Sequence, residues 1–211
     1  MDVRMFTVSP MFQENCFLVR ADGADSAFIV DPGDEGEKLT GAIDALGVKV
    51  EAILLTHTHI DHIGAVAEVK RHTGAPVYCP RIEAPMVADG QFFARFGMGT
   101  FEPFEPDHLL DGGERLTLAG FDVEVIFTPG HSPGHVTFAL EAEQALFSGD
   151  VLFQGSVGRV DLPGGDWSTL AASIQGLLDR FDDETTVHPG HMGLTTLGRE
   201  RATNPFLAEL V

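Results

Sequence analysis

Short apolar runs bounded by turn-forming residues recur along the 211-residue chain, and helical stretches interrupt them. Apolar residues recur at helical spacing between 35 and 46 and between 167 and 181, with Gly47 as C-cap of the first helix and Asp166 as N-cap of the second. The remaining predicted elements are helices at 64–72 and 198–203 and strands at 5–8, 16–19, 27–30, 51–55, 77–79, 115–118, 121–127, 136–140, 145–147 and 185–187.

Strands and helices come in two similar sets, separated by an irregular stretch rich in phenylalanine at Phe92–Phe104. This order predicts an α/β (α+β) chain, built as an αββα sandwich of two mixed β-sheets flanked by helices. A length of 211 residues suits one such domain over residues 1–211. The phenylalanine-rich stretch is predicted to be a wall or lid of a site, a packed part of the core or a dimer contact.

The formal net charge of −19 makes the chain strongly acidic, with only three lysines. Such a surface repels phosphate backbones and anionic membranes, so nucleic acid and membrane partners are disfavoured, and an anionic substrate would need a local cation. No apolar run reaches ~20 residues and no signal-peptide pattern opens the sequence, so we expect a cytoplasmic protein. Cys16 and Cys79 are predicted to be reduced packing residues.

The segment THTHIDH at residues 56–62 carries three histidines and one aspartate directly after a predicted buried strand. Burying so many unpaired polar groups is costly, whereas a divalent cation accepts neutral imidazole nitrogens and carboxylate oxygens as ligands. His57 and His59 alternate in an extended chain and therefore point to the same side. Asp61 and His62 are offset by the turn into the next helix, so they face a neighbouring position. The spacing predicts two adjacent metal ions.

Three later residues of ligand type follow other predicted strands. His131 ends the phrase TPGH, Asp150 ends SGD and His191 ends PGH. Each lies in a loop just beyond a strand, and loops of this kind converge on one face to form a site. His188 competes with His191 as a ligand, but the Pro-Gly-His phrase favours His191.

The order and spacing of HxHxDH, TPGH, SGD and PGH resemble the metallo-β-lactamase superfamily from about Met5 to Pro205. Within it, the chain is most similar to the glyoxalase II branch. The stretch GSVGR at 155–159, followed by Asp161, resembles the short bacterial members that lack a C-terminal helical domain. The other phrases that carry the similarity are LLTH at 54–57, PGHSPGH at 129–135, TTLGRE at 195–200 and NPF at 204–206.

The resemblance implies a hydrolase with two divalent metal ions, either zinc or, as alternatives, iron or manganese. It implies that a hydroxide between the metals attacks a small-molecule thioester such as S-D-lactoylglutathione, as in a hydroxyacylglutathione hydrolase. Asp61 would orient the hydroxide and receive its proton, and Arg159 would bind a carboxylate of the substrate. The implied ligands are His57, His59 and His131 for the first metal, Asp61, His62 and His191 for the second, and Asp150 as the bridge.

Three other functions agree with parts of the sequence. A persulfide dioxygenase would hold a single iron through His57, His131 and Asp150. A lactonase or β-lactamase would use the two-metal site on a different acyl group. A metal-stabilised binding module would have no activity to lose on chelation.

Three residues near the motifs have two interpretations each, and a fourth departs from the pattern of similar proteins. Asp31 is a turn former or the acceptor that orients a ligand histidine, and His135 is a plain strand residue or a support for a ligand. Arg159 is a substrate contact or the partner of Asp161. Met192 stands where similar proteins often have glycine, a departure that affects the local loop and no ligand.

Overall fold

A computed structural model of the chain describes residues 1–208. Its strands are β1 (Asp2–Val8), β2 (Glu14–Arg20), β3 (Ser26–Val30), β4 (Lys49–Leu54), β5 (Val77–Pro80), β6 (His108–Leu110), β7 (Arg115–Leu118), β8 (Phe121–Phe127), β9 (Val136–Leu140), β10 (Ala145–Gly149), β11 (Leu152–Phe153), β12 (Ser156–Val157), β13 (Thr186–Pro189) and β14 (Thr195–Thr196). Its α-helices are α1 (Gly36–Leu46), α2 (Ile60–Ile63), α3 (Val66–Thr73), α4 (Ala84–Val87), α5 (Trp167–Arg180) and α6 (Leu197–Thr203).

The strands form two six-stranded mixed sheets and a small hairpin of β11 and β12. The first sheet has the order β1-β2-β3-β4-β5-β6, antiparallel from β1 to β3 and parallel from β3 to β6. The second has the order β14-β13-β10-β9-β8-β7, in which β10 and β13 are parallel and the other neighbours are antiparallel. Both sheets are therefore mixed, as predicted.

Three apolar clusters stack these elements in four layers. The central cluster lies between the sheets and includes Phe17, Phe28 and Phe147, where the Phe147 ring meets the other two edge to face. Other clusters pack α1 and α3 on the outside of the first sheet and α5 and α6 on the outside of the second. Because successive strand residues face opposite sides, β2 contributes Phe17 to the central cluster and Leu18 to the outer one. This layer order confirms the predicted αββα sandwich.

Local sequence accounts for many element ends. Gly47 ends α1 with a left-handed φ of 63°, and Asp166 caps α5 by accepting a hydrogen bond from Thr169 N–H. The strands predicted at 121–127 and 136–140 are confirmed with the same bounds. The short strands β6, β11, β12 and β14 escape prediction, because two or three residues carry no periodic pattern.

Loops that follow β4, β8, β10 and β13 meet at one edge of the sandwich. Backbone hydrogen bonds join them, since Val136 N–H donates to Thr56 O at 2.8 Å and Gly190 N–H donates to Gly149 O at 2.9 Å. The first of these bonds links the two sheets directly. The candidate ligands lie on these four loops or, for Asp61 and His62, on α2 directly after the β4 loop, and are therefore held by the framework of both sheets.

Two predictions about the chain as a whole can be compared with the described residues. Cys16 and Cys79 are both free and buried, as predicted. Over residues 1–208, none of the helices combines the length and apolar character that a membrane span requires.

Candidate metal centre

The THTHIDH segment leaves β4 after Leu54 and reaches α2 at Ile60. Asp31, just beyond β3, accepts a hydrogen bond from Thr56 N–H at 2.8 Å and another from the Thr56 hydroxyl at 2.6 Å. These two bonds fix the start of the segment. His57, the next residue, is completely buried, so its ring is shielded from solvent on all sides.

His57, His59 and His131, here called the imidazole cluster, bring three ring nitrogens together. His59 Nδ1 lies 3.1 Å from His57 Nε2 and 2.8 Å from His131 Nε2, and the last two atoms are 3.2 Å apart. Nitrogens bound to one tetrahedral metal at ~2.0–2.1 Å are separated by about 3.3 Å. The cluster therefore has nearly the spacing of three ligands on one ion.

The tautomers of this cluster follow from what the opposite ring nitrogens contact. His131 Nδ1 lies 2.7 Å from the Arg159 carbonyl oxygen, which can only accept, so Nδ1 carries the hydrogen. His57 Nδ1 lies 3.1 Å from the Thr56 hydroxyl, whose own hydrogen is donated to Asp31. In the neutral form of each ring Nε2 is then unprotonated, and the two Nε2 lone pairs face each other. A cation between them would turn this repulsion into attraction.

Asp61, His62 and His191, here called the mixed cluster, lie beside the first three residues. His191 Nε2 is 3.4 Å from an oxygen of Asp61, and one ligand atom from each member lies within 4.8 Å of those of the others. His188, the rival candidate, is instead buried and stacks on Phe147 with ring centroids 4.6 Å apart. The geometry thus selects His191 for this cluster.

Asp150 lies between the two clusters, at the end of β10. Its Oδ2 atom is 3.4 Å from both His131 Nε2 and His191 Nε2, and its Oδ1 atom is 3.3 Å from His62 Nε2. Asp150 Oδ1 and His62 Nε2 have no hydrogen-bond partner among the described residues although both are buried. The Asp150 carboxylate therefore reaches both clusters. Its own Oδ1 atom and His62 Nε2 lack the hydrogen-bond partner that a buried polar atom normally has.

The two clusters differ in protonation. Burial lowers the pKa of His57 well below 6.5 and lowers that of His59 to about 3. Burial also opposes charge in the mixed cluster, but there the Asp150 carboxylate raises the pKa of His62 well above 6.5 and, together with Asp61, raises that of His191 to about 9. At neutral pH His57 and His59 are thus uncharged, whereas His62 and His191 attract protons.

Asp31 and His135, each given two interpretations from the sequence, both support neighbouring groups. Asp31 Oδ2 lies 3.0 Å from His62 Nδ1 and directs His62 Nε2 towards Asp150. His135 Nε2 accepts a hydrogen bond from Asp150 N–H at 3.0 Å. Its Nδ1 lies 3.1 Å from the Thr128 hydroxyl, and burial lowers its pKa well below 6.5, so the ring is neutral.

Glu83 is a functional candidate that sequence reasoning misses. This fully buried carboxylate accepts hydrogen bonds from Thr58 N–H at 2.7 Å, from the Thr58 hydroxyl at 3.0 Å, from Gly134 N–H at 2.9 Å and from the Ser132 hydroxyl. Thr58 separates His57 from His59, and Ser132 follows His131. Glu83 therefore ties together the two loops of the imidazole cluster, although its sequence neighbours give no sign of this.

Asn15 and Glu14, at the start of β2, are also missed. The Asn15 amide donates to Pro189 O at 3.1 Å and to Met192 O at 2.8 Å, so it holds the loop that carries His191. Glu14 is fully buried without a hydrogen-bond partner among residues 1–208, and burial raises its pKa well above 4.5. Two polar residues opening an otherwise apolar buried strand are the signal that sequence analysis could have used.

Backbone geometry explains two features of the ligand loops. A Cβ at Gly190 would overlap Asp150 Oδ1 and the His62 ring, so only glycine leaves room for both side chains. Met192 has a φ of 69°, a left-handed conformation that is unstrained only for glycine. Met192, where similar proteins often have glycine, is therefore a strained residue. The strain is confined to the loop and does not displace His191.

A cavity of about 490 Å³ opens over both clusters. Arg159 lines it, but its guanidinium group binds both oxygens of Asp161, at 2.6 and 2.7 Å, and its side chain is 62% exposed. Arg159 is thus paired with Asp161, which is one of its two interpretations from the sequence. In the phenylalanine-rich stretch, Phe93, Phe101 and Phe104 pack in the core, and Phe92, Phe93 and Phe96 form a wall beside His59.

The donor set fits divalent metal ions. It consists of imidazole nitrogens and carboxylate oxygens, with facing lone pairs in the imidazole cluster and two orphaned polar atoms at Asp150 and His62. The mutual distances allow three donors per ion on each side of Asp150. Ligands of these types suit zinc, iron and manganese alike, so the residues do not select one metal.

Comparisons with known proteins agree with this architecture. A family model of the metallo-beta-lactamase superfamily matches residues 10–191. The hydroxyacylglutathione hydrolase GloC of Haemophilus influenzae is 39% identical over 93% of this chain and 93% of its own. The crystal structure of the BLEG-1 B3 metallo-beta-lactamase is 40% identical with a TM-score of 0.92, covering 98% of this chain and 100% of that one. A crystal structure of TTHA1623 in a di-iron-bound form is 45% identical with a TM-score of 0.86, covering 97% and 100%. The chain belongs to the metallo-beta-lactamase superfamily, with the two-sheet fold and a histidine- and aspartate-lined metal site.

Proposed function

We propose that this member of the superfamily is a dinuclear metallohydrolase that cleaves thioesters, in the manner of a hydroxyacylglutathione hydrolase. The observation that carries the proposal is the meeting of the imidazole cluster and the mixed cluster at Asp150, inside an open cavity. His57, His59 and His131 would hold one metal, Asp61, His62 and His191 the other, and Asp150 both. The similarity to GloC over nearly the whole chain supports the choice of reaction.

The proposed substrate is a small molecule that the protein meets in the cytoplasm. A net charge of −19 opposes the approach of nucleic acids and anionic membranes, whereas a small thioester fits the cavity of about 490 Å³. Zinc is the metal we propose, and the similarity to the di-iron form of TTHA1623 makes iron the first alternative.

Bound divalent ions would polarise the scissile carbonyl group and lower the pKa of an attacking water. Asp61 would orient that water and accept its proton. Burial would raise the pKa of Asp61, but the nearby His191 ring, 3.4 Å away, lowers it, so the carboxylate is ionised and available as an acceptor. A thiolate leaves readily near neutral pH, so no residue has to protonate the leaving group.

A β-lactamase is a second candidate, favoured by the likeness to BLEG-1 over the entire length of that chain. A lactonase would use the same site. A persulfide dioxygenase with one iron on His57, His131 and Asp150 would leave Asp61, His62 and His191 without a metal. That alternative gives no role to the second group of converging donors.

The test is metal analysis of the purified protein together with assays on S-D-lactoylglutathione, a lactone, a β-lactam and a persulfide. We expect two metals per chain, rapid thioester hydrolysis and no oxygen uptake. Chelation should remove the activity and metal addition should restore it. A preparation with one iron per chain that consumes oxygen and leaves thioesters intact would overturn the proposal.

A further inference from the structure

A second, smaller cavity of about 100 Å³ lies beside His59. It carries no charged side chain, and apart from His59 and Ser132 every lining residue is apolar. The apolar lining consists of Met86, Phe92, Phe93, Phe96, Met98, Pro133, Leu162 and Pro163. We call this cavity the apolar pocket.

Most polar atoms of the two polar residues of the apolar pocket are already engaged. The Ser132 hydroxyl donates to Glu83, and His59 Nδ1 faces His57 and His131 within the imidazole cluster. A water needs two to four polar partners, and the remaining ring nitrogen of His59 supplies only one. It therefore favours a hydrocarbon group over water or over a hydroxylated group.

The apolar pocket is continuous with the larger cavity over the metal centre. His59, Met98 and Leu162 line both. A group bound in the larger cavity, which also reaches Asp61 and Asp150, can thus extend a substituent past His59 into the pocket. Phe93 is buried and its ring lies 6.4 Å from the His59 ring, so this wall is a packed part of the protein.

We infer that the apolar pocket binds an uncharged hydrocarbon group of the substrate, which extends from the metal centre past His59. The inference rests on the proposed hydrolase function and adds the class of substrate. Apolar cavities of ~150 Å³ hold a benzene molecule, so a volume of about 100 Å³ has room for a short or branched alkyl group. The group belongs either to the acyl side or to the thiol side of the thioester, and the two are separated by experiment.

The experiment uses the metal-loaded protein and two series of neutral thioesters. One series varies the acyl group of N-acetylcysteamine thioesters from acetyl through butyryl and 3-methylbutyryl to octanoyl. The other keeps acetyl and lengthens the alkyl thiol. We expect kcat/KM to rise about fourfold per methylene in one series, as burial of each CH₂ implies, and to level off once the pocket is full. Equal rates along both series would overturn the inference.

Matched variants connect the preference with the pocket. Met86→Trp fills the pocket and should lower the ratio of 3-methylbutyryl to acetyl turnover, or the corresponding ratio in the thiol series, about tenfold. Met86→Ala enlarges the pocket and should move the optimum to a longer chain. Met5→Trp makes the same exchange at an exposed position of β1 and should leave the ratio at the wild-type value. A ratio that Met86→Trp leaves unchanged would contradict the pocket as its source.

Binding without turnover distinguishes this inference from the proposed function. Calorimetric titration compares N-methyl-3-methylbutyramide with N-methylacetamide, and N-butylacetamide with N-methylacetamide, on the wild type and on Met86→Trp. If no thioester is hydrolysed but a longer amide binds more tightly to the wild type alone, the apolar pocket stands and the thioesterase proposal falls. If thioesters are hydrolysed without any chain-length preference and all amides bind alike, the pocket inference falls and the proposed function stands.

Discussion

The imidazole cluster and the mixed cluster use similar donors in opposite electrostatic settings. In the imidazole cluster, burial keeps His57 and His59 neutral, and the lone pairs of the ring nitrogens face one another. In the mixed cluster, Asp61 and Asp150 lie 3.4 Å from His191, and these carboxylates raise the pKa of that histidine to about 9. The difference comes from the carboxylates, because all the histidines concerned are largely buried.

This contrast bears on how each cluster would acquire a metal. A ligand must lose its proton before it coordinates, so protons compete wherever the pKa of the ligand is high. In the imidazole cluster, His57 and His59 meet a cation with their lone pairs already free. The mixed cluster can satisfy its carboxylates with imidazolium ions, so a metal there must displace protons. Asp150 belongs to both arrangements and links them.

Replacing Asp150 should have the largest effect, since it is the residue shared by the two clusters. We expect Asp150→Ala to reduce bound metal to below one ion per chain and to reduce thioester turnover to the background rate. Elemental analysis and a thioester assay measure the two outcomes, and circular dichroism checks the fold. The control is Asp122→Ala, an exposed aspartate on β8. Two retained metals and near wild-type turnover in Asp150→Ala would refute the bridging role.

Removing a ligand from one cluster should show whether the two clusters bind their metals independently. Asp61→Ala or His62→Ala should lose one metal equivalent, keep the other and abolish turnover, because the imidazole cluster stays complete. His59→Ala should instead empty the imidazole cluster. Metal titration by calorimetry counts the remaining sites in each variant. Full activity in Asp61→Ala or His62→Ala would rule out a mechanism that needs both metals.

The pH dependence of metal binding should differ between the clusters. His191 has a pKa of about 9 in the protein alone, so below pH 9 it holds a proton that a metal must displace. Affinity at the mixed cluster should therefore fall as pH decreases from 9 to 6, by about tenfold per unit for each competing proton, and the raised pKa of His62 adds to that of His191. The pKa of His59 is about 3 and burial lowers that of His57 well below 6.5, so protons do not compete for these two ligands of the imidazole cluster in this range.

Competition with a chelating dye at pH 6, 7, 8 and 9 measures both affinities. The expected pattern is one steep and one shallow dependence on pH. His191→Asn supplies the control, since it removes the competing proton together with the ligand and should leave only the shallow phase. Two phases with the same slope would mean that the clusters do not differ in protonation.

Each cluster also has its own buried carboxylate support, and replacing these should have a smaller effect. Glu83 binds the loops of the imidazole cluster through Thr58 and Ser132, whereas Asp31 contacts His62 directly. We expect Glu83→Gln to weaken metal binding at the imidazole cluster and Asp31→Asn to weaken it more at the mixed cluster, each by about 10–100-fold. Titration of each variant tests this assignment, which an equal loss at both clusters would contradict.

The seven candidate ligands could be predicted because each has a local signal. His57 and His59 alternate after a strand, and His131, Asp150 and His191 each follow a strand in a short Pro-Gly or Ser-Gly phrase. The periodic patterns that predict the strands also place these loops at the strand ends. Proximity in space then follows from the sandwich, whose two mixed sheets the same patterns predict.

The supporting residues could not be predicted, because their roles arise only in the folded chain. Glu83 lies 25 residues from Thr58 and 49 from Ser132, and neither its neighbours nor its spacing marks it. Asn15 contacts a loop more than 170 residues away. The apolar pocket is a similar case, since Met86, Phe92 and Leu162 approach His59 only through tertiary packing.

Replacing Arg159 should have the smallest effect. It also separates the role of the Arg159 backbone carbonyl group from that of its side chain. Its backbone carbonyl accepts from His131 Nδ1, which any side chain preserves, so Arg159→Ala should keep both metals. Its guanidinium group is occupied by Asp161, so a substrate carboxylate must displace that partner to bind. We therefore expect Arg159→Ala to raise KM only a few-fold, and for anionic thioesters more than for neutral ones. Asp161→Asn frees the guanidinium group and should lower KM for anionic thioesters. If both variants change KM equally for charged and neutral substrates, the side chain of Arg159 takes no part in binding, and its carbonyl group remains as the contribution of this residue to the imidazole cluster.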